Sequence, residues 1–143
     1  MKSENSQQLR QLYPHLFPQG LDIMEVECGD GWHHLIDRLC VQIMNYLHST
    51  FPRKLPPLEV VQVKEKFGGL RYYIEGYSDY KIDEFLQEAE ELSRQTCEIT
   101  GLSGCLHEKN GWLKTLCDKE ANKRGFKKVN INKNMTLNST DKI

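Results

Sequence analysis

Apolar positions recur three and four residues apart through Trp32, Leu35, Ile36, Leu39, Cys40, Ile43, Met44 and Leu47. That spacing gathers them on one face of a helix, and Asp30 stands where an N-cap is expected. Pro52, Pro56 and Pro57 stop the helix, because proline lacks an amide hydrogen and clashes with the preceding turn. A second stripe, Ile82, Phe85, Leu86, Ala89 and Leu92, predicts a helix over 80–96 started by Ser78 or Asp79. A short helix over 4–12 ends before Pro14, and residues 18–31 read as loop with a short strand.

Between the two main helices the period changes. Residues 58–75 form two runs that meet at Gly68-Gly69. Glycine takes the positive φ angles that a two-residue hairpin loop needs. Such a loop pairs Phe67 with Leu70, Lys66 with Arg71, Glu65 with Tyr72, Lys64 with Tyr73 and Val63 with Ile74. Opposed residues share a face. One face then holds Val61, Val63, Phe67, Leu70 and Ile74, with Glu65 and Tyr72 among them. The other holds Gln62, Lys64, Lys66, Arg71, Tyr73 and Glu75. A lone hairpin is marginal, so the predicted fold is α+β. A hairpin or small antiparallel sheet is packed by two main helices, and a degenerate zinc-knuckle-like segment follows. The expected organisation is one globular domain over 1–125, with the knuckle over 97–121, then a polar basic tail over 126–143.

The chain has 143 residues, 38% hydrophobic and 27% charged, with net charge -1. This describes a soluble chain able to bury a core. The net charge points away from a wholly basic nucleic-acid binder, yet charge is uneven. Asp79, Asp83, Glu84, Glu88, Glu90 and Glu91 crowd one stretch; Lys119, Lys123, Arg124, Lys127, Lys128 and Lys133 crowd another. The start, MKSENSQQLRQLYPHLF, lacks the apolar run of a secretory signal. No stretch is long enough to span a bilayer. The expected location is the cytoplasm, where thiols stay reduced. Five cysteines (Cys28, Cys40, Cys97, Cys105, Cys117) are an odd number, which argues against a disulfide framework.

The segment CEITGLSGCLHEKNGWLKTLCDKE, residues 97–120, keeps the spacing of a zinc knuckle. Such a knuckle supplies Cys-x-x-Cys-Gly, then Cys-x-x-Cys or Cys-x-x-His. Here the four positions are Cys97, Thr100, Cys117 and Glu120, with Gly101 in the glycine place. Thr is a poor zinc ligand and Glu an uncommon one. A rearranged site of Cys97, Cys105, His107 and Cys117 would offer three thiolates and an imidazole. The plainer reading has no cofactor: a metal-free loop packed by Leu102, Leu106, Trp112, Leu113 and Leu116, its thiols acting as small apolar groups.

Three stretches carry a resemblance: ECGDGWHHLIDRLC (27–40), VVQVKEKFGGLRYY (60–73) and TCEITGLSG…GWLKTLCDKEA (96–121). Together they resemble an uncharacterised family of small bacterial, phage and prophage proteins. Its members show ECGDGW, QVKEKFGGLRF, and a CxxCG knuckle with GW and TLCxxH. Thr100 and Glu120 stand where that family has its second Cys and its His. The resemblance implies a phage or mobile-element setting, where small proteins often dock on a host complex and block it.

Two enzymatic readings compete. His33 and Asp37 are i, i+4 neighbours and suit a general base with its orienting carboxylate; they also fall where a helix shows its solvated side. Glu59, Gln62 and Lys64 follow the strand pattern of a magnesium-dependent nuclease, without a convincing upstream Asp. The stronger candidate is a partner-binding surface of Lys64, Lys66, Arg71 and Tyr73, extended by Lys123, Arg124, Lys127 and Lys128. The plain alternative is a solvated sheet face. The expectation is therefore a binding protein rather than an enzyme. It would inhibit or modulate a host protein complex, such as a nucleoprotein defence effector of CRISPR type. A nucleic-acid-binding module is the second expectation and a metal-dependent enzyme the third. Glu65 on the apolar face calls for a cation partner, Arg38 or another.

Overall fold

The computed structural model describes residues 1–18 and 26–130. In chain order come α1 (Ser3–Leu12), β1 (Val26–Glu27), a 3-10 turn (Asp30–Trp32), α2 (His33–Thr50), β2 (Leu58–Lys66), β3 (Gly69–Gly76) and α3 (Tyr80–Ser93). Then follow β4 (Cys105–Lys109), β5 (Trp112–Leu116), α4 (Asp118–Arg124) and β6 (Lys127–Lys128). The fold is α+β, with two small sheets ordered β1-β2-β3 and β5-β4-β6. Among the described residues no helix is long and apolar enough to cross a membrane.

The α2 stripe buries Trp32, Leu35, Ile36, Leu39, Cys40, Ile43 and Leu47 in the core that Leu58, Val60, Val63, Leu70 and Tyr72 fill from the sheet. Ile82 and Ala89 of α3 complete that core. As the sequence predicts, Asp79 starts α3: its Oδ1 accepts from the Lys81 and Ile82 amides, both at 3.0 Å. The hydroxyls of Tyr46 and Tyr77 donate to its other oxygen. Asp79→Ala removes all four bonds, and urea unfolding should read a loss of about 2 kcal/mol.

Asp30 does not cap α2. Its carboxylate accepts from the Lys2 amide at 2.8 Å and from Asn5 Nδ2 at 2.9 Å, so it pins the start of α1 from across the fold. The α2 stripe needs no such cap, because tertiary packing holds the helix.

The hairpin also departs from expectation. Its loop is Phe67-Gly68, with φ of 54° and 80°, and Lys66 pairs with Gly69. Lys64 meets Arg71 rather than Tyr73, a slip of two residues. A slip of two keeps the side chains from Gln62 to Lys66 on their predicted face; Phe67 moves into the loop and out to solvent, and Val61, predicted on the buried face, is exposed. Gly68 sits against the second sheet, where a Cβ would come within 2.7 Å of Leu106 Cδ1. The loop therefore puts its glycine against β4 and its side chain outside. Pairing also shifts between Val60 and Gln62, a bulge that exposes Val61 and buries Val60.

Residues 97–130 make a second, smaller cluster of Cys97, Leu116 and Ala121, with Ile99, Cys117 and Phe126 against it. Leu102 and Trp112, predicted to pack this segment, are exposed. Residues 126–130, read from sequence as tail, run alongside β4: Lys127 pairs with Glu108, and Lys128 with His107. Backbone pairing and the apolar Phe126 outweigh the polar composition there. The remainder of the predicted tail, 131–143, and residues 19–25 of the predicted 18–31 loop lie outside the described residues.

Candidate partner interface

The polar face of β2 and β3 carries Lys64, Lys66, Arg71 and Tyr73 together. Lys64 and Arg71 lie directly opposite, a like-charge pair that costs stability unless relieved. It is relieved on one side. Arg71 turns to the Glu90 carboxylate of α3, and Arg94 holds the same carboxylate at 2.9 Å. Arg71 is thus engaged within the molecule. Lys64 and Lys66 instead lie over aromatic rings: Lys64 Nζ is 5.9 Å from the Tyr73 centroid, and Lys66 Nζ is 5.6 Å from that of Phe67. Tyr73 is 40% and Phe67 63% exposed. Sequence reading missed Phe67 because it assigned that side chain to the buried face. The signal was available: F-G-G offers two positions for a two-residue loop, and one of them exposes the Phe.

The other four predicted cations lie on α4 and β6. Lys123 and Arg124 are held by Glu120 of the same helix, at 3.7 Å and 3.0 Å. Lys127 and Lys128 are exposed on β6, where with Glu108 and Lys109 they line a cleft of about 520 Å³.

Among the described residues no three His, Cys, Asp or Glu side chains gather to hold a metal, so Cys97, Cys105, His107 and Cys117 do not form the rearranged zinc site. His107 turns inward, its Nδ1 at 2.7 Å from the Cys105 carbonyl. The knuckle turn itself survives: the Gly101 amide donates to the Cys97 carbonyl at 2.9 Å. Cys117 is the N-cap residue of α4. The Thr100 hydroxyl donates to Cys117 Sγ at 3.8 Å. Burial pushes the Cys97 thiol up. The nearby Thr100 side chain and the amides of Cys117, Thr100 and Ile99 outweigh it and bring the thiol below its ordinary value.

The three quoted stretches meet at one joint between the sheets. Gly31 N donates to Glu98 O at 2.8 Å, and Gly29 N to Glu98 Oε2 at 2.9 Å. Trp32 Nε1 donates to Thr96 O at 2.9 Å, and Thr115 Oγ1 to Gly68 O at 2.6 Å. Glu98 is 4% exposed, and Lys114 Nζ reaches it at 3.1 Å and Glu65 at 3.7 Å. Lys114 is therefore the cation that Glu65 called for, while Arg38 pairs with Glu88 at 3.2 Å. Burial raises the Glu65 pKa; Lys114 lowers it and Glu98 raises it again. Burial, with Glu98 next in weight, also pushes the Cys28 thiol up to about 12, so it stays protonated.

No protein-family model, no curated protein and no solved structure matches the chain.

The two catalytic pairings find little support in the geometry. Asp37 accepts from the Tyr13 hydroxyl at 2.6 Å. Among the described residues, His33 Nε2 is buried with no hydrogen-bond partner. Glu59 lies opposite another carboxylate, Glu75, across the hairpin.

Proposed function

We propose that the protein works by binding. It docks the hairpin face of Lys64, Lys66, Tyr73 and Phe67 on an acidic surface of a host protein complex, as a modulator of phage or mobile-element type. One observation carries this reading: two lysine ammoniums held over two exposed rings, on strands whose other face is fixed in the core. Ring and cation hold each other in place, so little side-chain freedom is lost on docking. Exposed aromatic anchors beside cations are the residue types that dominate interfaces. The mobile-element setting comes from the sequence resemblance alone.

Nucleic acid is the second reading, favoured by the exposed Lys127 and Lys128 on β6. Lysines contact phosphates, and the exposed Tyr73 and Phe67 rings offer faces on which bases stack. Affinity capture from host lysate with and without nuclease treatment, run with wild type and Tyr73→Ala, tests the first reading. Tyr73→Ala should weaken capture of the same partner about tenfold or more, roughly 1.4 kcal/mol, with an unchanged melting curve. Undiminished capture by Tyr73→Ala and by Lys64→Ala would leave this face as ordinary solvated sheet. Capture that vanishes with nuclease, and falls steeply with salt, would favour the second reading.

A further inference from the structure

A knuckle of this spacing ordinarily depends on zinc, because its own core is too small to fold without the metal. The four frame positions here are Cys97, Thr100, Cys117 and Glu120, and they do not suit the ion. Two of them are already committed to other bonds. Thr100 Oγ1 donates to Cys117 Sγ at 3.8 Å. The Glu120 carboxylate, itself buried, holds Arg124 at 3.0 Å and Lys123 at 3.7 Å. Two thiols alone remain, short of the four ligands of a structural site.

Other bonds hold the segment in its knuckle shape. Cys97 N donates to Leu102 O at 2.7 Å, and Glu98 N to Thr115 O at 3.0 Å. Cys97, Leu116 and Ala121 are buried together, with Phe126 against them. The joint to the first sheet adds the Gly31–Glu98, Trp32–Thr96 and Thr115–Gly68 bonds. An isolated zinc finger has no such neighbour to lean on.

We propose that this knuckle is metal-independent: the Thr100–Cys117 hydrogen bond bridges its two halves and Arg124 neutralises the buried Glu120 within α4, in place of a metal, while the Cys97–Gly101 turn of the frame persists. Two consequences set it apart. The full chain gains nothing from zinc, which separates it from a zinc knuckle, and restoring two ligands restores a site, which separates it from an ordinary loop.

The full chain, expressed with added zinc, is assayed for metal content and for its thermal midpoint with and without a strong chelator. Substoichiometric zinc and an unmoved midpoint are expected. One tightly held zinc, with a midpoint that falls on chelation, overturns the proposal. In the second arm Thr100→Cys and Glu120→His are combined and titrated with cobalt(II). One equivalent should bind and give thiolate charge-transfer bands with a tetrahedral visible spectrum, absent in wild type. A folded double variant that binds no better than wild type overturns the claim that the frame persists. If that variant fails to fold, Glu120→Gln decides. It should lower the midpoint by about 5 °C, and an unshifted midpoint refutes the replacement role of Glu120.

Discussion

Gly31→Ala should cost about 4 kcal/mol or more, enough to separate the second sheet from the first or to unfold the chain. A Cβ at Gly31 would stand 2.2 Å from Cys97 O, 2.6 Å from Glu98 O and 2.6 Å from Gly101 N. All three are backbone atoms, so no side-chain rotation relieves the clash. The substitution would also displace the Gly31 amide from Glu98 O. The next residue, Trp32, is fully buried and bonded to Thr96 O, so near-UV circular dichroism should lose its tryptophan signal at lower urea. Gly111→Ala is the control. Gly111 has a positive φ of 83° but nothing within 4 Å of its Cβ position, and should cost only about 1 kcal/mol. Equal losses at the two positions would show that close approach at Gly31 is not what the joint requires.

Lys114→Met should cost about 3 kcal/mol at neutral pH. Lys114 is the shared cation of two carboxylates, Glu98 and Glu65, whose side chains are only 5% and 14% exposed. Removing it leaves both carboxylates in a poorly solvated place beside each other. The sign of the pH dependence follows from Glu65, whose pKa is raised by burial in the folded chain. Over the window between its ordinary value of 4.5 and the raised folded value, the native state binds more protons than the unfolded state. Stability from this group therefore rises as pH falls through that window. Without the cation the folded pKa rises further, so the deficit of Lys114→Met should shrink between pH 7 and pH 5. Glu65→Gln added to Lys114→Met should recover part of the loss at pH 7. A deficit that is constant with pH would mean that Lys114 contributes packing rather than charge.

How much of this was legible in the sequence depended on the range of the interaction. The stripes of α2 and α3 were readable because burial repeats with the helical period. Asp79 was readable because an N-cap is a contact within one turn. The choice between Gly68-Gly69 and Phe67-Gly68 as the loop was not local. The observed loop packs on Leu106 and Thr115, more than thirty residues along the chain. Asp30 likewise looked like a cap for its own helix, but its partners are Lys2 and Asn5. The composition of residues 126–130 concealed a strand, since a two-residue pairing leaves almost no pattern. Strand alternation put Lys64, Lys66 and Tyr73 on one sheet face, where they are found. It offered no sign that Arg71 would be claimed by Glu90, a contact between a strand and a later helix.

The Thr115–Gly68 bond has a mechanical effect. It fixes the peptide next to Phe67 to the second sheet, so the most exposed ring of the hairpin rides on a loop tethered at both ends. Loosening the tether would let that ring wander, and a partner would then have to restrain it on contact. Damage to the knuckle, which abuts the hairpin tip through this bond, would therefore loosen Phe67 and, on the proposed docking mode, weaken binding there.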